Sequence, residues 1–334
     1  MIEGVKNFML LPDAPERAAR KAERKARRAA NFEFRKQNTI SGYIASVPDT
    51  LISGIALFGL TKPAAKMIKN LSSNLTYEEN QTVLNAFDKA FKESSLPEKG
   101  AEVVRIGEKT VVLGLNPIEA FADKFKNPKT KKFINKNLNP IEMVRNGDNA
   151  FFNPVGNKLL LPETKLSLTN FHEMGHALNC NKSKVWSTIQ CAGKPLKWSA
   201  PLFASLALFM NKKEETPDHK LTIKDKTINA FRTAAPYMVA AACLPELAEE
   251  ITASVKGQKI ANKVLSKDLA RKVFKTNVVA GSTYLISAVA LTLGTAIGIK
   301  VKDKVMAKRM AKAENSQIDE NQKQLLRECK NNNL

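Results

Sequence analysis

The chain has 334 residues, of which 25% are charged, and a formal net charge of +21. This length allows one large domain or two modest ones, and the positive charge predicts an anionic partner, either nucleic acid or a membrane surface. Four cysteines without a CxxC pair exclude a dense disulfide framework and indicate a reducing compartment or incidental thiols.

A basic helical segment is predicted over residues 1–38. Residues 14–37 are rich in alanine, arginine and lysine, a composition that favours a helix with positive charge on nearly every face. No removable signal peptide is evident before it. Because a long apolar segment follows, we expect this helix to be attracted to anionic lipid headgroups; the alternative is a helix that is only solvated.

Two apolar segments are long enough to cross a bilayer core of about 30 Å. Residues 39–61 form the first, which Pro48 and Asp49 interrupt, so both a broken and a straight span fit the sequence. Residues 277–300 form the second, in which residues 278–299 carry no charge, and it is predicted to be a transmembrane helix. Residues 301–334 are predicted to be a polar C-terminal tail.

Two shorter apolar helices are predicted at residues 198–210 and 234–247. Each is below the roughly 20 residues that a span needs, so the sequence favours buried core helices or partial insertion as a hairpin. We therefore expect a membrane protein that is either bitopic or multi-pass. The positive-inside rule predicts a cytoplasmic N-terminus, but it does not fix the side of any site.

The region between the apolar segments carries turn and strand signals. A capping box at Thr76–Glu79 predicts the start of an amphipathic helix that continues to about Ser94. Alternating residues at 102–106 and 110–115 predict a hairpin around Gly107. Residues 149–161 read as strand, turn and strand, and an edge strand at this place could bind an extended peptide through backbone hydrogen bonds.

The sequence His172-Glu173-Met174-Gly175-His176 follows these strands. Positions i and i+4 share one face of a helix, so both imidazoles can bind the same ion. Glu173 then lies where a carboxylate can take a proton from a metal-bound water. Only 3 histidines occur in the chain, and two of them have this spacing. Gly175 predicts a close packing contact, because glycine costs about 1 kcal/mol inside a helix.

A catalytic zinc ion needs a third protein ligand. His219 lies in a polar stretch that reads as an exposed loop, and Cys180 reads as a packed thiol. Lys182 occupies the position at which a three-histidine site would have its third histidine. An acidic ligand on a second helix is therefore expected, and Glu246 and Glu250 share one face of an otherwise apolar helix there.

The order of these motifs resembles a known family. Strand-rich residues 149–161, then HEMGH, two apolar segments and Glu250-Ile251-Thr252-Ala253 are similar to the membrane-associated gluzincin zinc metallopeptidases of the HtpX/Ste24-like group. The resemblance implies that His172 and His176 are zinc ligands, that Glu173 is the general base and that Glu250 is the third ligand.

The chain departs from the family pattern at one position. The resemblance implies an aspartate after Ala253 that supports a ligand histidine, and this chain has Ser254 there. Glu246 and Glu249 therefore remain alternatives to Glu250 as the third ligand.

The expected fold is mainly α with a small β-sheet (α+β), in which residues 62–260 form a zincin-like catalytic domain with membrane-associated helices. The expected activity is a zinc-dependent endopeptidase with one Zn²⁺ per chain, a peptide or protein substrate, an anionic bilayer as partner and no specific nucleic acid. Tyr237, His219 and Arg271 are the candidates for stabilising the oxyanion. The rival hypothesis is a non-enzymatic basic membrane-surface protein in which HExxH is vestigial. The oligomeric state is left open.

Overall fold

The computed structural model describes residues 14–54, 61–107, 124, 127–132, 139–215 and 220–332. These residues are mostly helical and include a single three-stranded sheet, which confirms the predicted mainly α fold with a small β-sheet. The helices are α1 (Ala14–Gly54), α2 (Thr61–Ser73), α3 (Tyr77–Glu93), α4 (Pro140–Arg145), α5 (Asn170–Cys180), α6 (Lys184–Phe209), α7 (Ile223–Val264) and α8 (Lys267–Asn332). The strands are β1 (Glu102–Ile106), β2 (Phe151–Asn153) and β3 (Lys158–Pro162).

The chain divides into two compact units. The first consists of the described parts of Met1–Val47, Ala207–Arg232 and Gly298–Leu334, and the second of the described parts of Pro48–Leu206 and Thr233–Ile297. The predicted segment boundaries stay a prediction, and α1 and α8 continue through residues 38, 277 and 300 without a break.

Polar contacts connect the segments of the first unit. Asn38 donates a hydrogen bond from Nδ2 to the carbonyl oxygen of Phe209 at 2.9 Å. Arg232, which is buried, donates from Nη2 to Oδ1 of Asp303 at 2.5 Å. The amino group of the buried Lys302 donates to the carbonyl oxygen of Met210. The carbonyl groups at the C-terminal end of α6 are thus satisfied by side chains.

The main hydrophobic core lies in the second unit, between α3, the sheet, α5 and the adjoining parts of α7 and α8. Phe87 of α3 and Phe171 of α5 meet edge to face, with 5.7 Å between their ring centroids. Leu159 and Leu161 of β3 are fully buried on the same core. Burial of these side chains fixes α5 against the sheet.

The sheet has the strand order β1-β3-β2. β2 and β3 pair antiparallel across the turn at residues 154–157, which confirms the predicted strand-turn-strand. β1 pairs with β3 in parallel. The predicted partner of β1 in a hairpin, residues 110–115, lies outside the described residues, so that hairpin stays a prediction.

The predicted capping box is confirmed at the start of α3. Thr76 Oγ1 accepts a hydrogen bond from the Glu79 amide at 3.1 Å, and Glu79 Oε2 accepts one from the Thr76 amide at 3.0 Å. Glu79 Oε1 also accepts a hydrogen bond from Lys272 of α8 at 2.7 Å. The capping box therefore also anchors α8.

The predicted apolar segments fall on long helices. α1 is helical through Pro48 to Gly54, so the structure has no break at that proline, and residues 55–60 lie outside the described part. By length and composition, one of the described helices could cross a membrane, over Lys267–Glu320. The predicted segments 198–210 and 234–247 lie almost entirely on α6 and α7.

We predict that Thr76→Ala lowers the free energy of unfolding by about 1 kcal/mol, because loss of the Thr76 hydroxyl leaves the Glu79 amide without its acceptor. This loss is measured by denaturant titration in detergent, with circular dichroism as the signal. Thr82→Ala is the matched control, since the exposed Thr82 hydroxyl bonds only to Glu78 O within α3. Equal losses in the two variants would contradict a capping role.

Candidate metal centre

Two histidines of α5 converge on one point. His172 and His176 are both buried, and their Nε2 atoms lie 2.9 Å apart. The candidate ligand atoms of His172, Glu173 and His176 all lie within 4.8 Å of one another. This buried cluster could hold a metal ion.

The contact between α5 and α7 depends on two glycines. A Cβ atom on Gly175 would come within 2.0 Å of the carbonyl oxygen of Ala253, and one on Gly257 within 2.2 Å of the carbonyl oxygen of Phe171. The two helix backbones therefore touch where neither residue has a side chain. This confirms the close contact predicted at Gly175.

That contact brings one carboxylate of α7 to both imidazoles. Glu250 Oε2 lies 3.2 Å from Nε2 of His172 and 3.6 Å from Nε2 of His176. Glu249 instead contacts Nδ1 on the other side of the His176 ring. Glu246 forms an ion pair with Lys197 of α6 at 2.6 Å. Of the three acids considered from the sequence, Glu250 has the position of a ligand.

The three converging atoms fit a tetrahedral ion. Metal–ligand distances of about 2.0–2.1 Å place neighbouring tetrahedral ligands about 3.3 Å apart. The separations between His172 Nε2, His176 Nε2 and Glu250 Oε2 are 2.9, 3.2 and 3.6 Å, which bracket this value. Two imidazoles and a carboxylate are also a donor set that zinc accepts.

Both imidazoles are oriented through their second nitrogen. Nδ1 of His172 lies 3.1 Å from Oγ of Ser254, and Nδ1 of His176 contacts the carboxylate of Glu249. Donation from Nδ1 leaves each Nε2 as an acceptor directed towards the cluster. Ser254, at the position where the resemblance implies an aspartate, thus contacts one of the two histidines.

The charge of the cluster also favours a bound cation. Glu173, Glu249 and Glu250 are buried around only two imidazoles. Burial by itself lowers the pKa of His176, but the charge of Glu250 and the hydrogen bond to Glu249 raise it well above its ordinary value. The buried carboxylates thus favour a positive charge between them, which protonation of His176 supplies in part and which a divalent ion could supply instead.

Glu173 belongs to the same cluster and is also hydrogen-bonded to the sheet. Its Oε2 accepts a hydrogen bond from the backbone amide of Phe152 in β2 at 2.8 Å. Burial raises the pKa of Glu173, and the charges of His176 and His172 oppose that rise. A carboxylate with a raised pKa beside the cluster is suited to accept and return a proton.

A cavity of about 540 Å³ opens beside the cluster. Residues of β2, α5, α6, α7 and α8 line it, and its polar members include Gln190, Asn277 and Tyr284. Tyr284 lies close enough to Glu250 for its hydroxyl to interact with that carboxylate. No periodic or motif signal in the sequence indicates Tyr284, because it lies within an apolar segment that is predicted to be a membrane span.

The other candidate residues lie elsewhere. Tyr237 is 75% exposed, Arg271 is also exposed, and neither lines the cavity. His219 lies outside the described residues. Cys180 directs its thiol to the hydroxyl of Ser187 at 3.6 Å, in keeping with the interpretation as a packed thiol.

The fold and the site together define a mainly α protein with a buried cluster of histidines and glutamates next to a small sheet. No protein-family model, curated protein or solved structure matches the chain. The resemblance to gluzincin metallopeptidases therefore stays a prediction.

We predict that Gly175→Ala separates α5 from α7, because the new methyl group would overlap the Ala253 carbonyl. Overpacking of this kind lowers the free energy of unfolding by about 1–3 kcal/mol. The metal content of the purified protein should fall as well, because the cluster between the two helices would be distorted. Chemical denaturation and metal analysis in detergent measure both.

The matched control is Gly281→Ala in α8, where a Cβ atom would meet nothing within 4 Å. This variant should be stabilised by about 0.5–1 kcal/mol, because alanine is the better helix former. If both glycine variants were equally stable, the backbone contact between α5 and α7 would be disproved.

Proposed function

We propose that the chain is a zinc-dependent, membrane-associated endopeptidase with a zincin-like core. The observation that carries this proposal is the convergence of His172 Nε2, His176 Nε2 and Glu250 Oε2 at separations that suit one tetrahedral ion. The hydrogen-bonded Nδ1 atoms of both histidines support it, because a vestigial motif would have no need of these partners.

Each residue of the site has one role in this proposal. His172, His176 and Glu250 hold one zinc ion per chain, which supplies a Lewis acid and lowers the pKa of a bound water towards neutrality. Glu173 accepts a proton in the cavity and returns it to the leaving amine. The hydrogen bond from the Phe152 amide orients the Glu173 carboxylate for this transfer.

The sheet offers a binding edge for an extended peptide. β2 is an end strand, because the strand order is β1-β3-β2. Phe151 and Phe152 of β2 line the cavity, and so do Pro154 and Val155 of the following turn. The Phe152 amide already points from this strand to Glu173. A peptide that added itself beside β2 would therefore place its backbone next to the general base.

The membrane part of the proposal is supported by α8, which contains the candidate span within Lys267–Glu320. The net charge of +21 suits a bilayer surface with anionic lipids. A multi-pass arrangement and a cytoplasmic N-terminus remain proposals from the sequence.

We predict that Glu173→Gln keeps stoichiometric zinc but loses about 10²–10⁴-fold in peptide cleavage, because only proton transfer is removed. Glu250→Gln should lose both zinc and cleavage, since it weakens a ligand. Purified protein in detergent, elemental analysis and an unstructured protein substrate such as casein measure these outcomes.

Two further variants make this test specific. Glu249→Gln should weaken zinc binding about 10–100-fold, as expected for a residue that orients a ligand. Glu102→Gln is the control, because its side chain is 62% exposed and pairs only at the surface with Lys158. Full cleavage by Glu173→Gln would disprove the catalytic role, and unchanged zinc content in Glu250→Gln would disprove the ligand role.

A further inference from the structure

The outward faces of three helices in the second unit carry no charge. These faces cover residues 195–206 of α6, 237–251 of α7 and 276–297 of α8, ranges that the structure describes without a gap. Their large exposed side chains include Trp198, which is 80% exposed, and Tyr237, which is 75% exposed. The others among them include Leu202, Leu206, Leu244, Ile251, Val278, Leu285, Val289, Leu293 and Ile297.

The interior of the same helices has the opposite character. Mostly small residues pack between them, namely Ala200, Ala204, Val239, Ala242, Cys243 and Leu291. The polar groups are also inside. Lys197 pairs with Glu246 at 2.6 Å, and the buried hydroxyls of Ser287 and Thr295 donate to carbonyl groups of their own helix. Small residues inside and large apolar residues outside are the pattern of helices that pack in lipid.

The exposed stripe on α8 has the length of a bilayer core. From Val278 to Ile297 it rises about 29 Å at 1.5 Å per residue, against a hydrocarbon thickness of about 30 Å. Exposed lysines stand just beyond it at Lys275 and Lys300. A charged residue at each end and none between them is the arrangement expected where a span leaves the lipid.

We propose that α6 and α7 are immersed in the hydrocarbon core of a lipid bilayer together with α8. All three helices contribute to one core and each has exposed apolar side chains outside it, so a surrounding apolar medium would cover all of these faces, whereas a second copy of the chain would cover only one side. Composition alone misses α6 and α7, because it counts the buried Glu246, Glu249 and Glu250 and the half-buried Lys197, which pairs with Glu246. This proposal does not depend on zinc or on catalysis.

The two tryptophans of the chain provide a direct test. The Trp186→Phe variant keeps Trp198 on the apolar face, and Trp198→Phe keeps Trp186, which lies about 18 Å earlier along α6 next to Val185 and Lys184. In vesicles of phosphatidylcholine and phosphatidylglycerol, lipids with brominated acyl chains should reduce Trp198 fluorescence about two-fold or more. Trp186 should respond much less.

The opposite results overturn the proposal. Trp198 also lines the cavity, where acrylamide can reach it, so the response to lipid decides: no quenching of Trp198 by brominated lipid would place this face outside the hydrocarbon core. Protection of Trp198 from both quenchers, together with a cross-linked dimer, would show that a second copy covers it.

A pair of lysine substitutions tests α7 without tryptophan. Leu244 is exposed, so Leu244→Lys fits a water-facing surface without a clash but is costly in lipid. We expect its carbonate-resistant membrane fraction to fall about two-fold or more, while Ile318→Lys, at an exposed position in the polar part of α8, stays like the wild type. Equal membrane fractions for the two variants would overturn the proposal. Zinc content is measured on the same samples, so failure of this proposal is distinguishable from failure of the catalytic one.

Discussion

The contact between the backbones of α5 and α7 is the constraint on which the candidate site depends. At Gly175 and Gly257 each helix presents its bare backbone to a carbonyl group of the other. Metal ligands tolerate errors of about 0.2 Å in distance, whereas a single methyl group at either glycine would force a larger displacement. The glycines of this crossing are thus as important for the site as the histidines themselves.

The same crossing determines which nitrogen atoms of the histidines each glutamate of α7 contacts. Glu249 and Glu250 are neighbours in the sequence, yet one reaches the outer nitrogen of His176 and the other reaches the inner nitrogens of both histidines. Ser254, one turn further along α7, completes the set at His172. A single stretch of helix therefore supplies both the proposed ligand Glu250 and the partners of the two histidines, and a rotation of α7 would disturb all of these contacts together.

Much of this arrangement could be predicted from the sequence, but only where the signal is local. The spacing of His172 and His176, the capping box at Thr76 and the turn between β2 and β3 each depend on a few adjacent residues. The choice between Glu246 and Glu250 could not be made from helical periodicity, because both share a face and only the position along α7 at which it meets α5 separates them. The parallel pairing of β1 with β3 and the approach of Tyr284 likewise depend on packing between distant segments.

The acids of α7 also explain why composition is a poor guide to its surroundings. A hydropathy average counts a glutamate equally whether it faces the surroundings or the interior, so three glutamates within five positions disqualify the helix as a span. The structure buries all three, two against the histidines and one against Lys197, and leaves Tyr237, Ala241, Leu244, Ala248 and Ile251 outside. A helix that carries a buried polar site must contain such residues wherever it lies. The residues on the exposed face of such a helix, and not its average hydropathy, therefore indicate the medium around it. On α7 the exposed face is as apolar as the one on α8.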